Sequence, residues 1–516
     1  MRALLPLVFL LLAGCAAAPV PPAAPGPEGA SAGDCLSRLG PLDLHAATIP
    51  ELQAALEAGD ITSVQLVEAY LARIVAFDNG GPMLNSVQMT HPDALAIAAA
   101  LDAERVAGRV RGPLHGIPVL LKDNVGTFDM PTTAGSIALA ENLPPEDATI
   151  TAKLREAGAI ILGKAQLSEF ANWVSLTMPS GYSSLGGQVV NAYTGGDPSG
   201  SSSGSGVAMS MAFATVAIGT ETSGSILSPS IANSLVGVKA TMGLASRAGI
   251  IPLAPSFDVP GPMARNVVDA ALMLDAIAGA DPRDPATAAS VPAEHTARLS
   301  TEALRGVRLG YASGADDPLF ATAIAQLEEL GAEVVAFETD EADSVSLTEI
   351  PLIFNEFKAS INHYLANDAG PGLPVATLDD IILHNQQHPD NVKYGQDLLI
   401  ASDSQPGLMP TLAPLAAPTI LASRTSADRL FSENDLDAII GRNAPFTSLG
   451  AAAGYPTVVV PMGYDEEQPV GLSFFGPAWS EARLLGYAYA YEQVTLLRQP
   501  PHLIRPVILD DACGRA

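Results

Sequence analysis

The chain has 516 residues, 48% of them hydrophobic and 16% charged, which is enough apolar material for a large buried core. Its net charge of −29 argues against nucleic acid or an anionic membrane surface as the main partner, because phosphate contacts need clustered Lys and Arg. Acidity of this kind mostly favours solubility.

Met1-Arg2 is a short basic start, Leu4 to Leu12 an apolar run, and Leu12-Ala13-Gly14-Cys15 reads as a lipoprotein cleavage box with Cys15 as the lipid-bearing residue. So short an apolar run is a signal segment, not a membrane span. The expectation is a signal peptide over 1–15, an Ala/Pro/Gly-rich tether over 16–40, and export to a bacterial membrane, facing the periplasm or the cell surface. With Cys15 set aside, Cys35 and Cys513 stand at opposite ends of the chain; they allow one disulfide or two free thiols.

Thr48-Ile49-Pro50-Glu51 and Thr62-Ser63-Val64-Gln65 are capping-box patterns that predict two opening helices, and a third is expected from about Asp93 to Val106 with Gly108 near its end. Ile117 to Leu121 reads as a buried strand, with Lys122 at its end. On local pattern alone, Lys122 is either a strand-end charge reaching for solvent or a desolvated lysine of lowered pKa. Asp147 to Gly158 predicts a helix and Ala159 to Leu162 a strand, a unit of an α/β fold. Lys164 is read as structural.

Between Asp197 and Pro229 two serine-glycine loops bracket an apolar segment. Val207 to Ala217 is almost wholly small and apolar, which suits a helix buried on all sides. A Gly/Ser loop opening such a helix leaves backbone N–H groups free, and these can hold an oxyanion or a phosphate. A flexible linker is the plain alternative, but linkers are not normally fused to an all-apolar helix and a second glycine loop. No Gly-Lys-Ser/Thr follows the glycines, so a phosphate loop is a weaker rival. Farther on, Val307 to Tyr311 predicts a strand and Pro318 to Leu330 a helix ended by Gly331, while 404–431 shows little pattern. The cysteines do not cluster and the histidines are read as offering no metal-ligand pair, so neither a metal nor another cofactor is expected. No Gly-x-Ser-x-Gly elbow follows a strand, which disfavours the α/β-hydrolase mechanism.

The loops Ser199-Gly200-Ser201-Ser202-Ser203-Gly204-Ser205 and Gly219-Thr220-Glu221-Thr222-Ser223-Gly224-Ser225-Ile226 resemble the amidase signature family in both pattern and spacing. Further matches are Gly116 to Asn124, Gly163-Lys164 with Glu169-Phe170, Gly237 to Thr241, and Asp258 to Arg265. The resemblance implies an α/β fold: a large mixed twisted sheet covered by helices on both faces, as one domain over 41–510 with its signature core at about 115–265. It also implies a Ser-cisSer-Lys triad, with Ser225 as nucleophile, Ser201 as relay behind a cis Gly200–Ser201 peptide, and Lys122 as base.

Amide hydrolysis needs an activated nucleophile, oxyanion donors and a proton for the departing amine. Backbone N–H groups of Thr222, Ser223 and Gly224 are the expected oxyanion hole, each donor worth about 3 kcal/mol by analogy with other such sites. Within the family, Thr132 to Ser136, Ala217 to Thr222 and Arg247 to Pro252 most resemble bacterial peptide amidases, which implies hydrolysis of the C-terminal amide of peptides. A fatty-amide or aryl-acylamide hydrolase is the enzyme alternative; a catalytically inactive lipid-anchored binding protein is another. The export signal, acidic charge and lack of a basic patch argue against an amidotransferase subunit acting on transfer RNA. The chain departs from the family at Ser223, where Gly or Asp is usual, at Leu227, often Arg, and at Ala438 to Asn443, which lacks the usual Ala-Pro-Thr.

Overall fold

The computed structural model describes residues 35–290, 294–339, 346–405 and 409–501. Cys15 and Cys513 lie outside these, and with them the lipid-anchor and disulfide expectations.

Eleven strands form one mixed sheet: β1 (Val87–Thr90), β2 (Pro118–Lys122), β3 (Ile160–Ala165), β4 (Val216–Glu221), β5 (Val236–Lys239), β6 (Val259–Ala264), β7 (Arg308–Tyr311), β8 (Glu333–Ala336), β9 (Ala438–Arg442), β10 (Thr457–Asp465) and β11 (Gln468–Phe475). Their spatial order is β8-β7-β9-β11-β10-β5-β6-β4-β2-β3-β1. β2 runs parallel to both β3 and β4, while β6 joins β4 antiparallel, with Gly261 opposite Gly219. Three parallel strands thus lie side by side toward one side of the sheet, so the loops leaving β2 and β4 emerge at the same edge.

Helices cover both faces, as the family resemblance implies. Strand alternation explains why two cores are needed: in β9 Ala438 and Ile440 join the larger apolar cluster and Ile439 joins the other. The larger cluster takes in helices Ile49–Ala58, Ser63–Arg73, Val267–Ile277 and Glu481–Thr495. The second gathers aromatic side chains under helices Ser346–Asn367 and Leu378–Gln387, with Phe446 and Phe475 stacked at 5.9 Å.

Both capping boxes form: Thr48 accepts from the Glu51 N–H and Thr62 from the Gln65 N–H, with the Glu and Gln side chains reaching back. The third helix runs Ala94–Val106 and the next Thr149–Glu156, near their expected bounds. One expectation needs correction, and one stretch without a pattern acquires a structure. Val207 to Ala217 is not one helix: the helix is Ser203–Ser210, the chain turns at Ala212 (φ +53°), and Val216 begins β4. An all-buried run has no polar face to give a period, so helix and strand read alike in it. Within 404–431 lies most of a 25-residue helix, Met409–Glu433. Its prolines and Ser/Thr residues hide the period, and packing of Ala427, Leu430 and Phe431 on the second core selects it. Among the described residues no helix is long and apolar enough to cross a membrane.

Candidate active site

Lys122 ends β2 with its side chain wholly buried, and its Nζ donates to Ser201 Oγ at 2.8 Å and to the Thr220 carbonyl at 3.1 Å. Burial pulls its pKa down to about 7, against the opposing charges of Asp258 and Glu221. A lysine so placed exchanges a proton with a serine hydroxyl near neutrality, which an exposed lysine does not. The desolvated alternative for Lys122 is therefore the one the fold realises.

Ser201 follows a cis Gly200–Ser201 peptide bond and is 1% exposed. Its neighbours explain the run of serines. Ser202 Oγ donates to the Thr220 carbonyl at 3.1 Å, Ser205 Oγ to that of Ile218 at 3.1 Å, and Ser203 Oγ to that of Ser199 at 2.6 Å. Small hydroxyls thus satisfy buried backbone groups where the loop presses on β4. Gly204 is obligatory for the same reason, since a Cβ there would meet the Ser86 carbonyl oxygen at 2.3 Å and the Gln166 backbone at 2.5 Å.

Beyond β4 the chain turns through Thr222-Ser223-Gly224-Ser225, with Gly224 at φ +84°, a conformation glycine adopts freely. Glu221 Oε2 accepts from the N–H groups of Ile226 at 2.7 Å and Leu227 at 2.9 Å, closing the turn and capping helix Leu227–Ala232. Thr222 Oγ1 donates to Asp258, which also accepts from the N–H groups of Leu253 and Ala254. Among the described residues, the N–H groups of Thr222, Ser223, Gly224 and Ser225 donate to no protein acceptor. Four neighbouring free amides make a concavity suited to an oxyanion.

Ser225 is 9% exposed, and Ser202 N–H donates to its carbonyl at 3.2 Å. The two loops therefore meet through the backbone, and no hydrogen bond joins the Ser225 and Ser201 hydroxyls. Two clefts flank the turn. One of about 280 Å³ is lined by Asn124, Thr220, Thr222 and Asp258; the other, of about 630 Å³, is lined by Ser199, Ser228, Asn443 and Thr447. Ser225 itself, 9% exposed, lines neither.

The structure thus brings together Lys122, Ser201, Thr222, Ser223, Gly224 and Ser225. Asp258 and Glu221 complete the arrangement, and both stand inside matched motifs where their position carried the only signal. Lys164 lies apart, its Nζ donating to the Val125 carbonyl at 2.6 Å and to Thr132 Oγ1 at 2.7 Å, beside Asp123 at 3.9 Å. Of the departures, Leu227 is buried at the helix start and Ser223 half-buried on the turn, while 438–442 is strand β9. The reading of the histidines also needs correction. His384 and His388 are four residues apart with rings stacked at 4.3 Å, and His388 Nδ1 donates to the His384 carbonyl at 2.8 Å. No group of three or more His, Cys, Asp or Glu suited to a metal occurs among the described residues.

A family model described as Amidase matches residues 65–485. A peptide amidase from Stenotrophomonas maltophilia superposes with a TM-score of 0.85 and 42% identity, over 89% of this chain and 99% of its own. An amidase family protein of Bacillus anthracis gives a TM-score of 0.84 and 37% identity, over 89% and 92%. A probable amidase of Arabidopsis thaliana is 39% identical over 483 residues, 89% of this chain and 92% of its own length. The match runs through the strands and both loops that build the site, and with it the chain belongs to the amidase signature family, as a hydrolase of amide bonds.

Proposed function

We propose that the chain hydrolyses the C-terminal carboxamide of peptides, releasing the free acid and ammonia, through Ser225, Ser201 and Lys122. The observation that carries this reading is the contact of the Lys122 Nζ with Ser201 Oγ at 2.8 Å, beside a turn whose amides are unsatisfied.

Neutral Lys122 takes the Ser201 proton as Ser201 takes that of Ser225, and Ser225 Oγ attacks the amide carbon. Negative charge forms on the carbonyl oxygen, where the N–H groups of Thr222, Ser223 and Gly224 receive it. The relay then runs backward: Ser201 returns a proton to the amide nitrogen, the C–N bond breaks, and ammonia leaves. Water, deprotonated by the same relay, attacks the acyl-enzyme and frees Ser225 with the carboxylic acid. No atom of the sequence requires a bound cofactor.

The peptide carboxamide is favoured by the 42% identity to the Stenotrophomonas maltophilia peptide amidase over nearly the whole of that protein. Attachment through a lipid on Cys15 belongs to the same proposal; fatty-acid labelling of the full chain should vanish in Cys15→Ser.

Ammonia release from a C-terminally amidated dipeptide, by the parent and by Ser225→Ala, tests the main reading. Release by the parent alone supports it, with a loss of roughly 10⁴-fold or more in the variant. Equal release by both overturns the nucleophile, and release by neither, with cleavage of fatty or aryl amides, overturns the substrate.

A further inference from the structure

Beside the turn that carries Ser225 stands a carboxyl group that the mechanism above does not use. Glu349 projects from helix Ser346–Asn367 and is only 4% exposed. The Ser223 side chain, two residues before Ser225, stands next to it, and Lys239 and Glu221 act on it electrostatically. Lys239 gives its Nζ protons elsewhere, to the carbonyls of Gly450 at 3.0 Å and Tyr455 at 2.8 Å. Glu221 gives Oε2 to the Ile226 and Leu227 amides, while its Oε1 is also buried without a partner. Glu349 Oε1 is left buried with no hydrogen-bond partner. A buried polar atom without a partner is destabilising, so a fold that keeps one beside its nucleophile has an acceptor ready for a ligand.

Burial raises the Glu349 pKa to about 8, so at neutral pH the group is largely an uncharged carboxylic acid. Such a group accepts at one oxygen and donates at the other, and it repels neither an oxyanion nor a neutral amide. Next to the scissile carbonyl, the part of an amide substrate that offers N–H donors and nothing else is the leaving nitrogen: two N–H bonds in an unsubstituted carboxamide, three in departing ammonia. Ser223 is half-buried on the turn, and Glu349 is buried behind it.

We infer that Glu349 and the Ser223 hydroxyl form the leaving-group subsite, in which Glu349 Oε1 accepts an N–H of the unsubstituted carboxamide and selects it over substituted amides and esters. The inference rests on Ser225 as nucleophile and deepens that reading. Glu349 is a specificity-determining residue here; the proton delivered to nitrogen still comes from Ser201.

The test compares an N-acylated dipeptide carboxamide with the methyl ester of the same dipeptide, in the parent and in Glu349→Ala, Glu349→Gln, Ser223→Ala and Ser225→Ala. The ester keeps every acyl-side contact, including the peptide N–H, and lacks only the leaving-group N–H. Glu349→Ala should lower kcat/KM on the carboxamide by about 10- to 100-fold while changing ester hydrolysis less than about threefold, the size of one lost buried hydrogen bond. Glu349→Gln, which keeps a carbonyl acceptor, should recover most of the difference, and Ser223→Ala should shift the ratio in the same direction as Glu349→Ala. Parallel losses on amide and ester would make Glu349 merely structural and overturn the assignment, as would unchanged rates on both. If Ser225→Ala still cleaves the amide, the nucleophile reading fails and the subsite with it. If Ser225→Ala is inactive and the amide-to-ester ratio does not move in Glu349→Ala, only the subsite fails.

Discussion

At the scale of single residues, the site works by holding titratable groups out of water. Lys122 is the clearest instance, since an ammonium at its ordinary pKa would be protonated and useless as a base. With its pKa near 7 and the neutral form active, kcat/KM should rise tenfold per pH unit below about 7 and level off above it. A pH–rate profile checks this, and a flat profile from pH 5 to 8 would remove Lys122 from the base role. Buried carboxyls carry the opposite shift. Glu169 is 2% exposed, accepts the Ser184 N–H at 2.7 Å through Oε2, and is pushed up to about 7 by burial. Its folded pKa lies above the unfolded one, so the folded state holds the extra proton. That stability is complete below about 4.5 and is lost as pH rises through about 7. Relative to Glu169→Gln, the parent should therefore lose on the order of 3 kcal/mol between pH 4.5 and 8, read by urea denaturation at each pH.

At the scale of elements, the site depends on how closely the helix Ser203–Ser210 approaches its neighbours. Serine and glycine are the side chains small enough to let that helix lie against 166 and against β4. Gly204→Ala places a methyl group on backbone atoms that cannot step aside, and overpacking of that kind costs about 1–3 kcal/mol. The same displacement would move Ser201 off Lys122, so a lowered Tm should be accompanied by a loss of amide hydrolysis larger than the stability loss explains. Retention of full activity would show that the loop adjusts independently of the helix.

For the whole molecule, the pairing of β2 with β4 joins residues 122 and 201–225, which are about eighty to a hundred positions apart, at one edge of the sheet. Around this centre lies a surface of high negative charge, −29 over the chain. Self-repulsion of that size destabilises the compact state and is screened by salt, so Tm at pH 8 should rise from low to physiological ionic strength. A Tm that falls over that range would mean that surface ion pairs such as Arg111–Glu104 outweigh the repulsion.

By itself the sequence determined the family, both capping boxes, the helix-strand units near 149–165 and the candidate residues of the site, because these signals are local: a cap is four residues long and the two loops carry their pattern within a few positions. Only the tertiary structure decided that Val207 to Ala217 breaks into helix and strand and that 409–433 is helical, since packing overrides a pattern with no polar face or one full of prolines. It also decided which titratable groups are buried around the two loops. Glu349 lies 124 residues from Ser225 along the chain, and neither its burial nor the desolvation that pulls Lys122 toward neutrality is a property of any short stretch. Both come from what the fold excludes around them, which is water.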